Sequence, residues 1–555
     1  MFLGKYQSSF EKVVEQLKSE NVIERIWQKD YTLWSNKPDE ISNRLGWLYS
    51  AEASLNSINE IEEFVSSIRH DGINQALLLG MGGSSLAPEV FRKTFGIKSG
   101  FLDLSVIDST HPDTIREYAD KIDPSKTLFI VSTKSGGTVE TFSFMKFFYN
   151  YALEILGKEK VGNHFLAITD PGSGLQTVAE QLRFRKIFLN DPNIGGRFSA
   201  LSLFGVVPAA LIGVDIKLLL TRAQKMADEC KSIGSAALVG TAIGELAEQR
   251  RDKVTFVTSE EFSSFGVWVE QLIAESTGKS GKGILPVESE SVELPEFYSD
   301  DRVFVRLFTK GKKTNLDSLI NAGHPVIDLE LNDVYDLGAE FFRWEFATAV
   351  MSWRMKITPF DQPNVESAKI LARQMVAEYK ESGKLPELNS NLETENYSIV
   401  TESVGNSTSE ILNNFFALIS KVEKETKLNA YVSFQTYLKP DEKIEKTLQE
   451  IRTKIQKKYR VATTIGFGPR FLHSTGQLHK GDAGNGLFIQ IIDESNTNVP
   501  IPDEPGESKS SMTFGVLIKS QALGDRLALL NNKRNVLVIK IKSNLIETLK
   551  EVFKM

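Results

Sequence analysis

The stretch TLFIVSTKSGGTVET, Thr127–Thr141, decides how the chain is read. Leu128 to Val131 is a short apolar, β-branched run, which reads as a buried strand. It breaks at the polar, glycine-containing run Ser132 to Gly137. A long helical pattern then starts at Thr138 and runs to about Leu156. Strand, glycine loop and helix in that order form an anion site, because free N–H groups and the positive helix end face the loop. Gly136 and Gly137 let the backbone turn its N–H groups inward. Thr133, Ser135 and Thr138 add hydroxyls and Lys134 adds a charge. A phosphomonoester suits the loop better than a nucleotide, since the spacing G-x-x-x-x-G-K-[ST] that wraps a triphosphate is missing. The plainer alternative is an ordinary N-capped turn between strand and helix.

Working outward, the same alternation repeats. Ala76 to Leu79 is a short strand, Gly80 to Ser85 a glycine turn, and a helix follows to about Phe95. Leu102 to Asp108, Phe165 to Asp170 and Lys186 to Asn190 are further strands. Such repeats predict a parallel sheet covered on both faces, with its site at the carboxyl ends of the strands, where both glycine turns fall. Gly80-x-Gly82-x-x-Ser85, with Asp103 or Asp108 further on, also has the outline of a dinucleotide fingerprint. A serine stands in place of the third glycine, so a sugar phosphate is the better reading.

Residues 1–72 read as amphipathic helices anchored by Trp27, Trp34 and Trp47. Arg197 stands behind Gly195-Gly196 at the start of an apolar helix, where it could neutralise an anion or form a surface salt bridge. A second α/β unit opens at Val254 to Thr258. Its helix Ser263 to Glu275 places Gln271 and Glu275 on one side, and Gly278 is expected to cap it. An acid is disfavoured at a helix C-terminus, so Glu275 needs a reason to be there. Pro363 suits a helix start, and Gln362 and Lys369 would then share a side; a surface pair of Lys369 with Glu366 is the alternative. Residues 387–409 read as a linker or surface loop. A third α/β segment runs from Ala430 and contains the loop Gly468 to Gly481, which holds His473 and His479, two of only six histidines. The pattern continues with a strand at Leu487 to Ile492, an acidic proline-containing loop, a strand at Val536 to Ile541 and a short helix.

Composition sets bounds. With 555 residues the chain is long enough for three or four domains of roughly 150 residues. A net charge of −7 argues against a nucleic-acid partner, which wants a basic face. The single cysteine, Cys230, rules out an intrachain disulfide and fits a reducing compartment. Met1 to Glu20 holds no apolar signal core, and the longest apolar run, Leu203 to Val214, is too short to span a membrane. A cytoplasmic protein with no membrane partner is expected. The close pair His473 and His479 lacks i,i+4 spacing and has no nearby cysteine, so no metal site is expected.

Taken together, Gly82-Gly83-Ser84, Thr133 to Thr138, Gly195-Gly196-Arg197, Gln271 to Lys279 and Phe360-Asp361-Gln362 to Lys369 resemble the phosphoglucose isomerase family, in the family's order. The likeness is to the isomerase half of fused transaldolase–isomerase proteins. It implies an α/β fold of two sugar-isomerase (SIS) domains, each a mainly parallel sheet flanked by helices, with an additional C-terminal α/β segment. The expected division is 1–72 helical, 73–232 and 233–385 for the two domains, and 386–555 for the C-terminal segment. The resemblance further implies a cofactor-independent aldose–ketose isomerase acting on a sugar phosphate, in a homodimer. Glu275 would shuttle the proton, Arg197 would stabilise the enediolate, and His473 with Lys369 would open the ring. Thr133, Lys134, Ser135 and Thr138 would hold the phosphate, and Gly83, Ser84, Gln271 and Gln362 would line the site. The chain departs from the family at Gly136-Gly137, where many members carry bulkier residues, and in having no histidine of the expected context between 276 and 322. The segment His473 to Gly481 resembles the family's histidine segment moved beyond Lys369, with His479 the rival of His473. A non-catalytic sugar-phosphate sensor is the other class compatible with such a fold.

Overall fold

The computed structural model describes residues 1–494 and 498–554. Among these residues the strands β1 (Gln75–Gly80), β2 (Asp103–Ile107), β3 (Thr127–Ser132), β4 (Phe165–Thr169) and β5 (Lys186–Leu189) form one sheet, in the order β2-β1-β3-β4-β5. All pairings are parallel. β3 lies at the centre and is buried along its whole length, which is why its sequence is an unbroken apolar run. Its side chains divide between two cores. Leu128 and Ile130 face the N-terminal helices, while Phe129 and Val131 face the helix Val139–Leu156. That helix is the long one expected after the glycine loop, and Gly157 ends it.

A second parallel sheet follows, made of β6 (Lys253–Thr258), β7 (Leu285–Val287), β8 (Arg302–Thr309) and β9 (Val326–Leu331) in the order β7-β6-β8-β9. The helix Leu337–Met355 is buried between this sheet and the N-terminal helices. Trp47 is fully buried against Phe198, and Trp34 meets Phe360 edge-on at 5.3 Å. The N-terminal tryptophans thus support, from behind, the backbone on either side of Arg197 and Gln362.

The C-terminal part forms a third, six-stranded sheet. Its strands are β10 (Leu392–Glu393), β11 (Tyr397–Thr401), β12 (Tyr431–Tyr437), β13 (Ala462–Phe467), β14 (Gly486–Asp493) and, after the hairpin β15 (Pro500–Ile501) and β16 (Met512–Thr513), β17 (Asn535–Ile541). Two expectations are corrected here. Residues 387–409 are not simply a surface loop: Tyr397–Thr401 is a buried strand paired antiparallel to β17. It is five residues long and flanked by polar sequence, too short to show a period. The acidic stretch after β14, of which residues 495–497 lie outside the described residues, leads into a helix the sequence reading missed, Phe514–Asn531. This helix lies between the third sheet and the helix Val365–Ser382. Buried on several sides, with Ser520, Gln521 and Asp525 among its buried residues, it has no apolar stripe to read. The hairpin and the start of this helix also join the core on the first sheet, through Val499, Ile501, Phe514 and Leu517.

Candidate active site

The site forms around the glycine turns at the carboxyl end of the first sheet. A Cβ on Gly83 would collide with the carbonyl of Gly196, so only glycine lets the Gly82–Ser84 turn lie against the turn that carries Arg197. Ser84 is buried beside β3, where its carbonyl accepts from the Ser132 hydroxyl at 3.3 Å.

Arg197 sits in the short turn Gly196–Phe198 rather than at the mouth of the apolar helix, which begins at Leu203 under a Ser202 cap. Its buried guanidinium is held on every side. Nε donates to Ser276 Oγ at 2.8 Å, Nη1 to Gln362 Oε1 at 2.9 Å, and Nη2 to the carbonyls of Pro359 at 2.6 Å and Asp361 at 3.1 Å. Nη1 also lies 3.3 Å from Glu275 Oε1. Burial lowers the Arg197 pKa from its ordinary value, opposed by Glu275 and Asp361. Glu275 closes the last turn of the helix Phe265–Thr277, and Arg197 is the counter-charge that its position calls for. Gln271, one turn earlier, donates to Glu275 Oε2 at 3.2 Å and to the His473 carbonyl at 2.6 Å.

Gly278 caps this helix as expected, its N–H donating to the Ala274 carbonyl at 2.9 Å. A Cβ there would collide with Leu478 Cα, so the glycine serves the close approach of the C-terminal histidine segment. Next to it, the buried Lys279 ammonium bonds the Asp361 carboxylate at 2.8 Å and the Asp361 carbonyl. Burial and the neighbouring Arg197 charge bring its pKa down to about 8.

His473 Nε2 faces Glu140 Oε1 at 3.0 Å. Glu140 lies in the first turn of the helix after the glycine loop, is itself buried, and accepts from Gln521 Nε2 at 2.7 Å. Thr110 in turn donates to Gln521 at 2.9 Å. Burial would raise the Glu140 pKa, but the charge and hydrogen bond of His473 outweigh it, with Lys369 adding, and the carboxyl is held below its ordinary value. Sequence reasoning missed Glu140 and Gln521. Glu140 was readable in part, as an acid two residues beyond Thr138 at the positive end of a helix. Gln521 lay on the unrecognised helix.

His479, by contrast, is buried in the C-terminal lobe against Gln435 Nε2 at 3.1 Å and Phe488, and burial drives its pKa well below the ordinary value. Lys480 is buried as well, bonded to Asp525 at 2.6 Å. Both lie at the dry end of the Gly468–Gly481 loop because the helix Gly476–Gly481 packs back onto the third sheet.

A cavity of about 310 Å³ lies between the glycine loop and the His473 segment, lined among others by Ser135, Thr138, Glu140, Lys369, Leu472 and His473. Thr133 and Thr138 share a hydroxyl–hydroxyl contact of 3.0 Å beneath it. Thr138 starts the helix without capping it through its side chain, which leaves the first N–H groups facing the loop. The Lys134 ammonium, at the same loop, bonds Asp170 and donates to the Pro192 carbonyl at 2.8 Å. Lys369 is exposed on the helix Val365–Ser382 and makes no pair with Glu366, which bonds Arg373 instead. Gln362 precedes that helix in a loop, so the two do not share a helical face; Arg197 ties Gln362 to the site.

The fold and this site define a class: two parallel α/β sheets joined at a polar site beside the carboxyl end of the first. Solved structures of the same fold include a hypothetical protein from Thermus thermophilus, at a TM-score of 0.58 and 24% identity, covering 67% of this chain and 99% of that one. A glucose-6-phosphate isomerase from Chlamydia trachomatis superposes with a TM-score of 0.55 at 18% identity, covering 67% of this chain and 86% of that one. Within the class, residues 54–283 match the sequence model of the phosphoglucose isomerase family. The chain is similar to the glucose-6-phosphate isomerase of Campylobacter jejuni, 26% identical over 385 residues that cover 61% of this chain and 94% of the relative. It is likewise similar to that of Thermus thermophilus, 27% identical over 388 residues, 61% of this chain and 92% of the relative. The family match takes in Gly83, Ser84, the phosphate loop, Arg197, Gln271 and Glu275, and ends before Gln362, Lys369 and His473.

Proposed function

We propose that the chain is a glucose-6-phosphate isomerase, interconverting glucose 6-phosphate and fructose 6-phosphate through a cis-enediolate. The observation that carries the reading is that Gln271 links a carboxylate fixed by an arginine to the backbone of a histidine fixed by a buried carboxylate. The reaction needs a base to move a proton between C2 and C1, a cation for the enediolate, and an acid–base group to open the ring. Glu275 is assigned as the base and Arg197 as the cation, already immobilised by its other bonds and so requiring little reorganisation as charge develops. Glu140 fixes the imidazole of His473 through Nε2, leaving Nδ1 to act on the ring oxygen, with Lys369 across the cavity. The phosphate is assigned to the Thr133–Thr138 loop and the helix N-terminus behind it.

A sensor would need only the phosphate loop, and the paired Glu275 and His473 favour catalysis. The test is an assay that supplies fructose 6-phosphate and couples glucose 6-phosphate formation to a dehydrogenase. Turnover proportional to enzyme is expected, and binding without turnover would leave the sensor reading. A cytoplasmic homodimer belongs to the same proposal on the family resemblance. Light scattering on the purified chain checks the dimer.

A further inference from the structure

Glu140, the buried carboxylate that holds the His473 ring, is itself held by a residue of the C-terminal lobe. Gln521 Nε2 donates to Glu140 Oε1 at 2.7 Å, and His473 Nε2 meets the same oxygen at 3.0 Å. Two donors therefore converge on one oxygen. Burial works against the charged carboxyl, but the charge and hydrogen bond of His473 keep it below its ordinary value. An ionised carboxylate only accepts, so His473 Nε2 carries a hydrogen, and in the neutral ring Nδ1 is the free acceptor.

The Gln521 amide is fixed at both ends. The Thr110 hydroxyl donates to its Oε1 at 2.9 Å. A flipped amide would turn that oxygen onto the Glu140 carboxylate, acceptor against acceptor. Both Thr110 and Gln521 are buried. The helix Phe514–Asn531 that delivers Gln521 is locked on three sides. Asp525, one turn on, accepts from the buried Lys480 at 2.6 Å and from Gln490 at 3.1 Å. Gly524 packs on the helix that carries Lys369, where a Cβ would lie 2.6 Å from the Ala372 nitrogen and 3.1 Å from the Ala368 carbonyl oxygen. Phe514 stacks on Phe144, one turn beyond Glu140, with ring centres 6.0 Å apart. Packing on several sides, and not the hydrogen bond alone, therefore sets Gln521 against Glu140.

We propose that Gln521 is a positioning residue for ring opening: through Glu140 it fixes the His473 imidazole in one orientation and in the Nε2–H form. Without the amide, the Glu140 carboxylate keeps one donor fewer and is free to rotate, and the ring loses its fixed plane. What the imidazole then does rests on the isomerase reading; which tautomer it holds does not. Gln521 lies beyond residues 54–283, on the same lobe as His473, so the histidine and its support come from one part of the chain.

The experiment pairs kinetics with ring-nitrogen NMR of the full chain labelled at histidine. Gln521→Leu removes both polar ends of the side chain at similar size, and Thr110→Val removes only the hydroxyl that orients the amide. Gln521→Leu should lower kcat on cyclic glucose 6-phosphate by about tenfold to a hundredfold, as for a lost hydrogen bond to a charged acceptor. Its KM should stay within about twofold, and its turnover of an open-chain analogue should stay near that of the wild type. Thr110→Val should move the same ratio in the same direction by less. The His473 signal, assigned by its loss in His473→Ala, should show the Nε2–H form alone in the neutral wild-type ring and a mixture of tautomers in Gln521→Leu. An unchanged ratio of cyclic to open-chain turnover, an equal loss on both substrates, or an unchanged tautomer would each overturn the proposal. If the wild type turns over neither substrate, the isomerase reading falls and the tautomer comparison alone decides the part played by Gln521. Circular dichroism checks folding, and if Gln521→Leu is disturbed, Thr110→Val at the outer end of the chain of bonds decides by the same ratio and the same signal.

Discussion

Glu275 ends its helix where a carboxylate is disfavoured by the helix dipole, and the Arg197 guanidinium 3.3 Å away reverses that balance. Glu275→Gln keeps the shape but removes the carboxylate proposed as the base. Substrate binding should persist while turnover falls by several orders of magnitude; near-normal turnover would remove Glu275 from the mechanism. Lys279 offers a second test at this scale, through pH. Its folded pKa of about 8 lies below the roughly 10.4 of an unfolded lysine. Between those values the unfolded chain binds more protons, so this group makes the protein gain stability as pH rises from about 8 towards about 10. The gain is on the order of 3 kcal/mol. Lys279→Met should lack it, so that wild type gains on the variant over that window in denaturant unfolding. Parallel pH profiles for the two proteins would show that the buried ammonium carries no such penalty.

At the scale of elements, the glycine loop and its helix were legible because each signal was local: an apolar strand, a break, and a helical period. The same holds for Gln271 and Glu275, one turn apart on a helix with a clear apolar face. What could not be read is what depends on a distant partner. Lys134 reads as a phosphate ligand from its neighbours in sequence, and nothing local shows its bonds to Asp170 and the Pro192 carbonyl. Gly278 reads as a cap and is one, but its close approach to Leu478 had no local signal. The helix Phe514–Asn531 gave no periodic signal because it is covered on several sides. The loop reading can be divided accordingly. Thr138→Ala should weaken sugar-phosphate and free-phosphate binding by about 1.5–3 kcal/mol and leave thermal stability near wild type. Lys134→Ala should lower stability by about 1–3 kcal/mol, because Asp170 loses its cation while largely buried, and should weaken binding less than Thr138→Ala does. Equal binding of glucose and glucose 6-phosphate by the wild type would sink the phosphate assignment for the loop altogether.

At the scale of the whole molecule, one chain folds so that its C-terminal lobe returns a histidine to a cleft built by the first two sheets. The joints of that return are specific. Gln271 holds the His473 backbone, Glu140 its ring, and Gln477 bonds both the Gly278 carbonyl and Asn364 at 2.8 Å. Arg452 reaches from the C-terminal lobe to the Glu288 carbonyl at 3.0 Å. On the proposed assignment each lobe contributes a different step: the first sheet would hold the phosphate, the second would supply the base, and the third would open the ring. This division predicts separable defects. His473→Ala should depress activity on the cyclic substrate far more than on an open-chain analogue, because only the former requires the ring to be opened. Glu140→Gln should give a milder version of the same imbalance, since it leaves the imidazole present but less firmly oriented, whereas Glu275→Gln should impair both substrates alike. His479→Ala, deep in the third lobe, should cost stability without that imbalance. A His473→Ala enzyme impaired equally on cyclic and open-chain substrates would assign His473 a structural part and send the ring-opening step to another group at the cavity, with Lys369 the first to test.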